Sequence, residues 1–410
     1  LTPRAIAIVL AALVIGGCYR DVTITDPLWR DASATHLDAG VIDAGRPDSG
    51  WREPGGTCTE STPVDLLLVV DSSGSMAEEQ DSLVRQLPRL VGELVDPPDR
   101  DGDRQPDWPA ITDLHVGVIT PDLGSGGFEV PSCAAGRFGV RFGDDAVLRE
   151  TSSVSECSAT YPPVFEFGAG DDPDVFAAEV ACVARVGTAG CGFEQPLEAA
   201  LKAVSPSTPQ PYTAPDYVPP TFVEGTSGHA DGANAGFLRD DSLLAVVILT
   251  DEEDCSVRDV ELFDTSSPRY VSDLNLRCFA YPEALHPVER YVDGLLALRA
   301  DRPDLFALAV IAGIPVDAAV DLPSADDYDR ILARPEMEER LDPEMPTRLV
   351  PSCNGPTGIA FPPRRLVRAV AGLGRGRGTV QSICQTDFTP AVAPIVSLIG
   401  RRACAEHAPL

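Results

Sequence analysis

Four short, nearly uninterrupted apolar runs limit what this chain can fold into: Val64 to Val70, Leu114 to Ile119, Leu243 to Leu249 and Phe306 to Ile311. Each is too short to span a bilayer as a helix and too continuous for a strand with one wet face. Such runs suit strands buried on both faces of a parallel sheet. Amphipathic stretches lie between them, at Glu78 to Leu94, Phe193 to Val204 and Pro287 to Ala300. Pro363 to Leu373 then reads as a helix, Thr379 to Ile383 as an edge strand and Ala391 to Arg402 as a closing helix. The alternation predicts an α/β fold: a doubly wound, mostly parallel open sheet flanked by helices. Gly-, Pro- and Ser-rich stretches interrupt it at Asp122 to Pro173, Ser205 to Arg239 and Pro315 to Cys353. Loops of that length are functional, pinned or disordered. They are expected as disulfide-pinned insertions, at about 121–185, 205–240 and 315–353, in one domain spanning 63–406.

The first 62 residues do not join this pattern. Arg4 precedes an apolar run, Ala5 to Ile15, that is too short to cross a membrane and ends in Ile15-Gly16-Gly17-Cys18. That ending resembles a bacterial lipobox, which makes 1–17 a lipoprotein signal peptide and Cys18 the lipidated residue. The plain alternative is a secretory signal followed by a coincidental cysteine. Residues 18–62 repeat Asp-Ala-Gly and read as a disordered tether. About 40 flexible residues reach roughly 35 Å. The chain has eleven cysteines. With Cys18 acylated an even ten remain, compatible with five disulfides in an oxidising compartment. Tyr19-Arg20 places no aspartate after Cys18, a pattern resembling outer-membrane sorting. The expected location is the bacterial cell envelope, at its periplasmic or cell-surface face.

Charge excludes one class of partner. There are 32 basic against 63 acidic residues, a formal net charge of −31. Nucleic-acid binding needs a basic face, which this composition does not provide. The acidity implies either a self-repelling soluble surface or carboxylates that hold cations.

The first apolar run leads straight into Asp71-Ser72-Ser73-Gly74-Ser75, and the third ends in Thr250-Asp251. Ligands of a doubly wound sheet collect at the carboxyl ends of its strands. A hard divalent cation takes oxygen ligands, which an aspartate and two hydroxyls on a sharp turn supply. Gly74 is expected to relieve crowding in that turn. The plain alternative is a serine-rich turn in which Ser73 or Ser75 caps the next helix.

Asp71-x-Ser73-x-Ser75 after a buried strand resembles the metal-ion-dependent adhesion site of von Willebrand factor type A domains and integrin inserted domains. Thr250-Asp251 matches that family's third metal loop. The second loop normally offers a threonine before a helix. Here the candidate is Thr188, farther from the helix than usual, with Glu194 as an alternative or additional ligand. The resemblance implies that Asp71, Ser73, Ser75, Thr188 and Asp251 hold Mg²⁺ (or Mn²⁺ or Ca²⁺). It further implies binding rather than catalysis, with an acidic residue of a protein or surface ligand displacing a metal-bound water. Two alternatives follow from the same residues. One is an assembly factor of an envelope complex in which the metal mainly stabilises. The other is a metal-dependent hydrolase using Glu252, Glu253 or Asp254 as base.

A second acidic loop, with Asp99, Asp101, Asp103 and Asp107, resembles the calcium loops of thrombospondin type 3 and dockerin-like repeats. It departs from an EF-hand at its glycine and its twelfth position, Ala110. It reads equally as a solvated loop. Ten cysteines allow hundreds of pairings. The expected pairs are Cys58 with Cys404, Cys182 with Cys191, Cys255 with Cys278, Cys133 with Cys157 and Cys353 with Cys384. His115, at the start of a strand, is expected to be structural, and no serine, histidine and acid grouping suggests a serine hydrolase.

Overall fold

The computed structural model describes residues 60–299, 301–321, 323–355 and 358–404. The expected signal peptide, Cys18, almost all of the tether, and Cys58 lie outside them. The four apolar runs are strands: β1 (Val64–Val70), β2 (Leu114–Ile119), β4 (Leu243–Leu249) and β5 (Phe306–Ala312). Between them comes the short β3 (Phe165–Phe167), and the expected edge strand is β8 (Gly378–Ser382). The sheet order is β3-β2-β1-β4-β5-β8. All pairings are parallel except that of β2 with β3. A separate two-stranded ribbon joins β6 (Cys353–Asn354) to β7 (Ile359–Ala360).

The helices cover both faces. On one lie α1 (Ala77–Val95), α3 (Pro173–Ala184) and α9 (Thr389–Ala403); on the other lie α4 (Pro196–Val204), α6 (Glu289–Leu296), α7 (Ala325–Leu332) and α8 (Arg364–Gly372). Two single turns, α2 (Gly139–Phe142) and α5 (Arg277–Ala280), sit in the connections. Strand alternation divides the core cleanly. Leu66, Leu68 and Val70 of β1 pack toward α1 and α9, while Leu67 and Val69 pack toward α4 and α8. Every residue of β1, β4 and β5 is buried. Each large aliphatic side chain so placed contributes about 1.5–3 kcal/mol relative to exposure. No helix among the described residues is long and apolar enough to cross a membrane.

The interrupting stretches hold more structure than their composition suggests. β3 and α3 lie within 121–185 and complete the sheet and its helical layer. Asp172 caps α3 by accepting from the amides of Asp174 and Val175, with Pro173 in the first turn. The 205–240 stretch is anchored by Asn234, whose amide donates to Ala146 O and Ala203 O and accepts from Leu148 N. The 315–353 stretch contains α7.

Two of the expected disulfides form as read, Cys255–Cys278 and Cys353–Cys384. Two others exchange partners: the bonds are Cys133–Cys191 and Cys157–Cys182, not Cys133 with Cys157 and Cys182 with Cys191. The reason is α3, which carries Cys182 back beside the 150s loop, where Ser152 donates to Cys182 O at 2.6 Å. Cys191 instead joins Val130, Phe193, Cys255, Phe263 and Tyr270 in a small satellite core. Cys404 is disulfide-bonded; its expected partner, Cys58, lies outside the described residues.

Candidate metal centre

The order of the strands reverses at β1: the chain goes from β1 outward to β2, then returns to place β4 on the other side of β1. That switch opens a crevice at the strands' carboxyl ends, the usual ligand site of such sheets. Asp71 leaves β1 there, and Thr250-Asp251 leaves β4 beside it. The two ends are tied directly, since Asp71 N donates to Leu249 O at 3.0 Å.

Asp71 is fully buried. One carboxylate oxygen accepts from Ser73 N at 2.7 Å, the other from the Thr250 hydroxyl at 2.6 Å. Ser73 is buried and Ser75 exposed at the rim, their hydroxyls 3.4 Å apart. Helix α1 starts without a side-chain cap, so neither hydroxyl is spent on capping. Asp251 is buried, and the Ser75 hydroxyl donates to it, yet its Oδ1 has no hydrogen-bond partner.

Gly74 does not relieve crowding. It is exposed, and a Cβ there would meet nothing within 4 Å. The close approach is at Gly190, where a Cβ would lie 2.1 Å from Ser72 Oγ. Gly190 N donates to Ser72 O at 2.9 Å, so the second loop lies directly against the motif. The side chain of Gln80, on α1, locks that contact. Its amide donates to both Asp71 O and Gly187 O at 2.8 Å, and accepts from Gly187 N. Only the fold reveals this clamp, although a buried glutamine one turn into an amphipathic helix is the kind of residue that signals one.

Within this loop region the structure separates the two expected ligands. Thr188 is exposed. Glu194 is buried, and neither of its oxygens has a hydrogen-bond donor. It stands before α4 with its own carbonyl accepting from Cys255 N at 2.8 Å, which holds it against the segment that follows Asp251. There the negative charges of Glu252 and Asp71 act on it.

The electrostatics agree with a site that lacks its own cation. Burial, then the negative charges of Asp71 and Glu252, pushes Asp251 up to about 8. Burial and Asp71 push Glu252 up to about 7. Burial also raises Asp71, despite its hydrogen bonds from Thr250 and Ser73. Glu194 is raised well above the carboxylate range by burial and by Glu252 and Asp71. No arginine, lysine or histidine is among the leading influences on these four groups. Orphaned oxygens and hydroxyls are the donor type a hard divalent cation takes, but among the described residues only Asp99, Asp101 and Asp103 bring three carboxylates within 4.8 Å of one another.

The other acidic loop is built differently. Asp99, Asp101 and Asp103 bring one oxygen each within 4.8 Å of the others, all exposed, and that cluster has the spacing to hold a metal. Its carboxylates accept from local backbone amides: Asp99 from Gly102 and Arg104, Asp101 from Asp103, and Asp103 from Gln105. Asp107 is outside the cluster, turned toward Arg100, whose amide donates to it at 3.2 Å. His115 is structural, with Nδ1 at 3.2 Å from Phe237 O.

Comparison with models of known protein families gives no match, and comparison with curated proteins gives none. The family resemblance therefore rests on Asp71, Ser73, Ser75, Thr250 and Asp251 alone.

Proposed function

We propose that this chain is a cell-envelope lipoprotein of the von Willebrand factor A type that captures a protein or surface ligand through a divalent cation. Asp71, Ser73, Ser75 and Asp251 would hold the ion, Mg²⁺ or a close relative, with Glu194 rather than Thr188 completing the site from the second loop. The observation that carries the reading is the pair of buried carboxylates at the β1–β4 switch point whose oxygens lack protein cations and, in part, any donor. Ser75 at the exposed rim leaves a path for an acidic side chain of the partner to reach the ion. The ion would supply Lewis-acid attraction for that carboxylate; the chain's own groups position it and exclude water. On this reading the protein binds and does not catalyse. The described disulfides support an oxidising compartment, and Cys18 would anchor the chain to the outer membrane.

The test is capture from envelope extract with and without EDTA, using wild type and Asp71→Ala. Capture lost on chelation and in the variant, with thermal stability retained, supports the adhesion reading. A variant that unfolds would instead favour the assembly-factor reading, in which the metal mainly stabilises. Capture insensitive to both treatments overturns the metal mechanism.

A further inference from the structure

The second loop, from Val186 to Phe193, presses on the metal motif with little side chain of its own to hold it there. Three of its residues are glycines, at 187, 190 and 192; Thr188 and Ala189 are exposed, and Val186 is only partly buried. It meets the motif through hydrogen bonds of its backbone, from Gly190 N to Ser72 O at 2.9 Å and from the Gln80 amide to Gly187 O at 2.8 Å. Bonds of this kind in a part-exposed loop exchange for bonds to water at little net cost. The fit is nevertheless tight, since a Cβ at Gly190 would lie 2.1 Å from Ser72 Oγ. What seats the loop is Cys191. It is 2% exposed and bonded to Cys133, 58 residues away in sequence. Beside that bond Gly192 N donates to Ser132 O at 3.0 Å, and Cys133 N closes its own turn on Val130 O at 3.0 Å.

We propose that the Cys133–Cys191 disulfide is a redox gate on the cation site. Formed, it holds the loop against Ser72, which steadies the turn from Asp71 to Ser75 and keeps water off it. Reduced, it frees the glycine-rich stretch between the end of α3 and Phe193, which stays on Phe263 at 4.8 Å. The other disulfides with both partners described leave this contact alone. Cys157–Cys182 joins α3 to the 150s loop, and Cys353–Cys384 joins β6 to the residues after β8. Cys255 lies in a segment held independently by Asp254, which accepts from Leu197 N and from Arg365 Nε at 3.0 Å each. The bond is open to attack from one side: Cys133 is partly exposed between exposed Ser132 and Ala134, whereas Cys191 is buried. A thiolate of a dithiol reductant bonds to Cys133 Sγ, the bond to Cys191 breaks, and Cys191 leaves with the electron pair and takes a proton. The second thiol of the reductant then attacks the reductant's own sulfur and releases Cys133, so the dithiol ends oxidised and both cysteines reduced. Oxidation reverses these steps with a disulfide as oxidant. The gate therefore leaves the cation site unassembled until the chain meets an oxidising compartment.

This inference rests on the single-cation reading, and one experiment separates them. The chain is prepared with Asp101→Asn and Asp103→Asn, which removes the surface loop as a competing site. Mn²⁺ affinity and amide exchange are measured on the oxidised parent, on the reduced parent, and on Cys133→Ala with Cys191→Ala. Dithiothreitol is raised until peptide mapping of an alkylated aliquot shows Cys133 and Cys191 labelled, and is then removed without air. Reduction and the double variant are each expected to weaken Mn²⁺ binding about 10-fold and to speed exchange at 187–192 by about 10-fold or more, with β1 and β4 still protected. Oxidised glutathione should restore the parent, and the double variant should respond to neither reagent. Affinity and exchange unchanged in the labelled parent overturn the gate and leave the single-cation site standing. A double variant that still loses affinity in dithiothreitol also overturns it, by assigning the effect to another disulfide. No tight Mn²⁺ binding in the oxidised parent overturns both readings. Should the double variant unfold, the reduced parent with β1 and β4 protected decides by the same two readouts.

Discussion

The two ends of β1 carry aspartates that are equally buried and oppositely furnished. Asp65, at the amino end, is held by Arg239, whose guanidinium and backbone amide both donate to it at 2.7 Å, and by the Ser242 hydroxyl. Asp71, at the carboxyl end, has one amide and one hydroxyl and no basic neighbour. The strand is the same and so is the burial; the difference is whether the protein supplies the positive charge. Where it does, the carboxylate is part of the scaffold. Where it does not, the carboxylate is open to the cation proposed for it.

The largest effects should separate the two ends. Asp65→Ala takes the buried partner from Arg239, which keeps Asp113, and an acceptor from the Ser242 hydroxyl; it should cost about 1–3 kcal/mol of stability, as losing buried hydrogen bonds does. Chemical denaturation measures this, and cation affinity should survive. Asp71→Ala should do the reverse: a loss of cation affinity on the order of 100-fold or more, read by calorimetric titration, with stability in EDTA unchanged or raised. Similar stability losses in both variants would erase the distinction.

The pH dependence should be next in size. The carboxyls of Asp251 and Glu252 titrate higher in the fold, at about 8 and about 7, than the ordinary 3.8 and 4.5. The metal-free fold therefore holds protons that the unfolded chain has released. Their stabilisation is complete below about pH 4 and is lost as pH rises through 7 to 8. In EDTA the melting temperature should fall by several degrees between pH 5 and pH 8.5, where about 1 kcal/mol corresponds to some 2 °C in a domain of this size. Saturating Mg²⁺ should flatten or reverse that slope. A melting temperature that is flat without metal would contradict the charge assignment.

Smaller changes test the supports. Thr250→Val removes the hydroxyl that steadies Asp71, and Gln80→Leu removes the clamp on Gly187. Each lost buried hydrogen bond costs about 1–3 kcal/mol, so each variant should weaken cation binding by about 10-fold in the same titration. The smallest effect belongs to the surface loop. Asp101→Asn with Asp103→Asn should change tight cation binding less than about twofold and the melting temperature by about 1 °C or less, because backbone amides already occupy those exposed carboxylates.

These contrasts also explain what was legible in the chain. β1, β2, β4 and β5 could be read because continuous apolar runs have few alternatives in a chain this large, and β8 because it follows α8 as a short edge segment. Asp71 and Asp251 could be read because strand ends are defined along the sequence. β3 escaped because three residues, Phe165 to Phe167, carry no periodicity, and α3 because it follows them in a Gly- and Pro-rich stretch. Its start was nevertheless marked by Asp172 before Pro173. The exchanged disulfides follow from missing α3. Gln80 was beyond reach of periodicity, since its role depends on α1, the end of β1 and the second loop meeting in space.

The most direct test of the central claim is anomalous diffraction from crystals soaked in Mn²⁺ at pH 8. The account predicts strong anomalous density at the switch point, within coordination distance of Ser73, Ser75 and Asp251. Density confined to Asp99, Asp101 and Asp103, with Asp71 and Asp251 left metal-free, would contradict it.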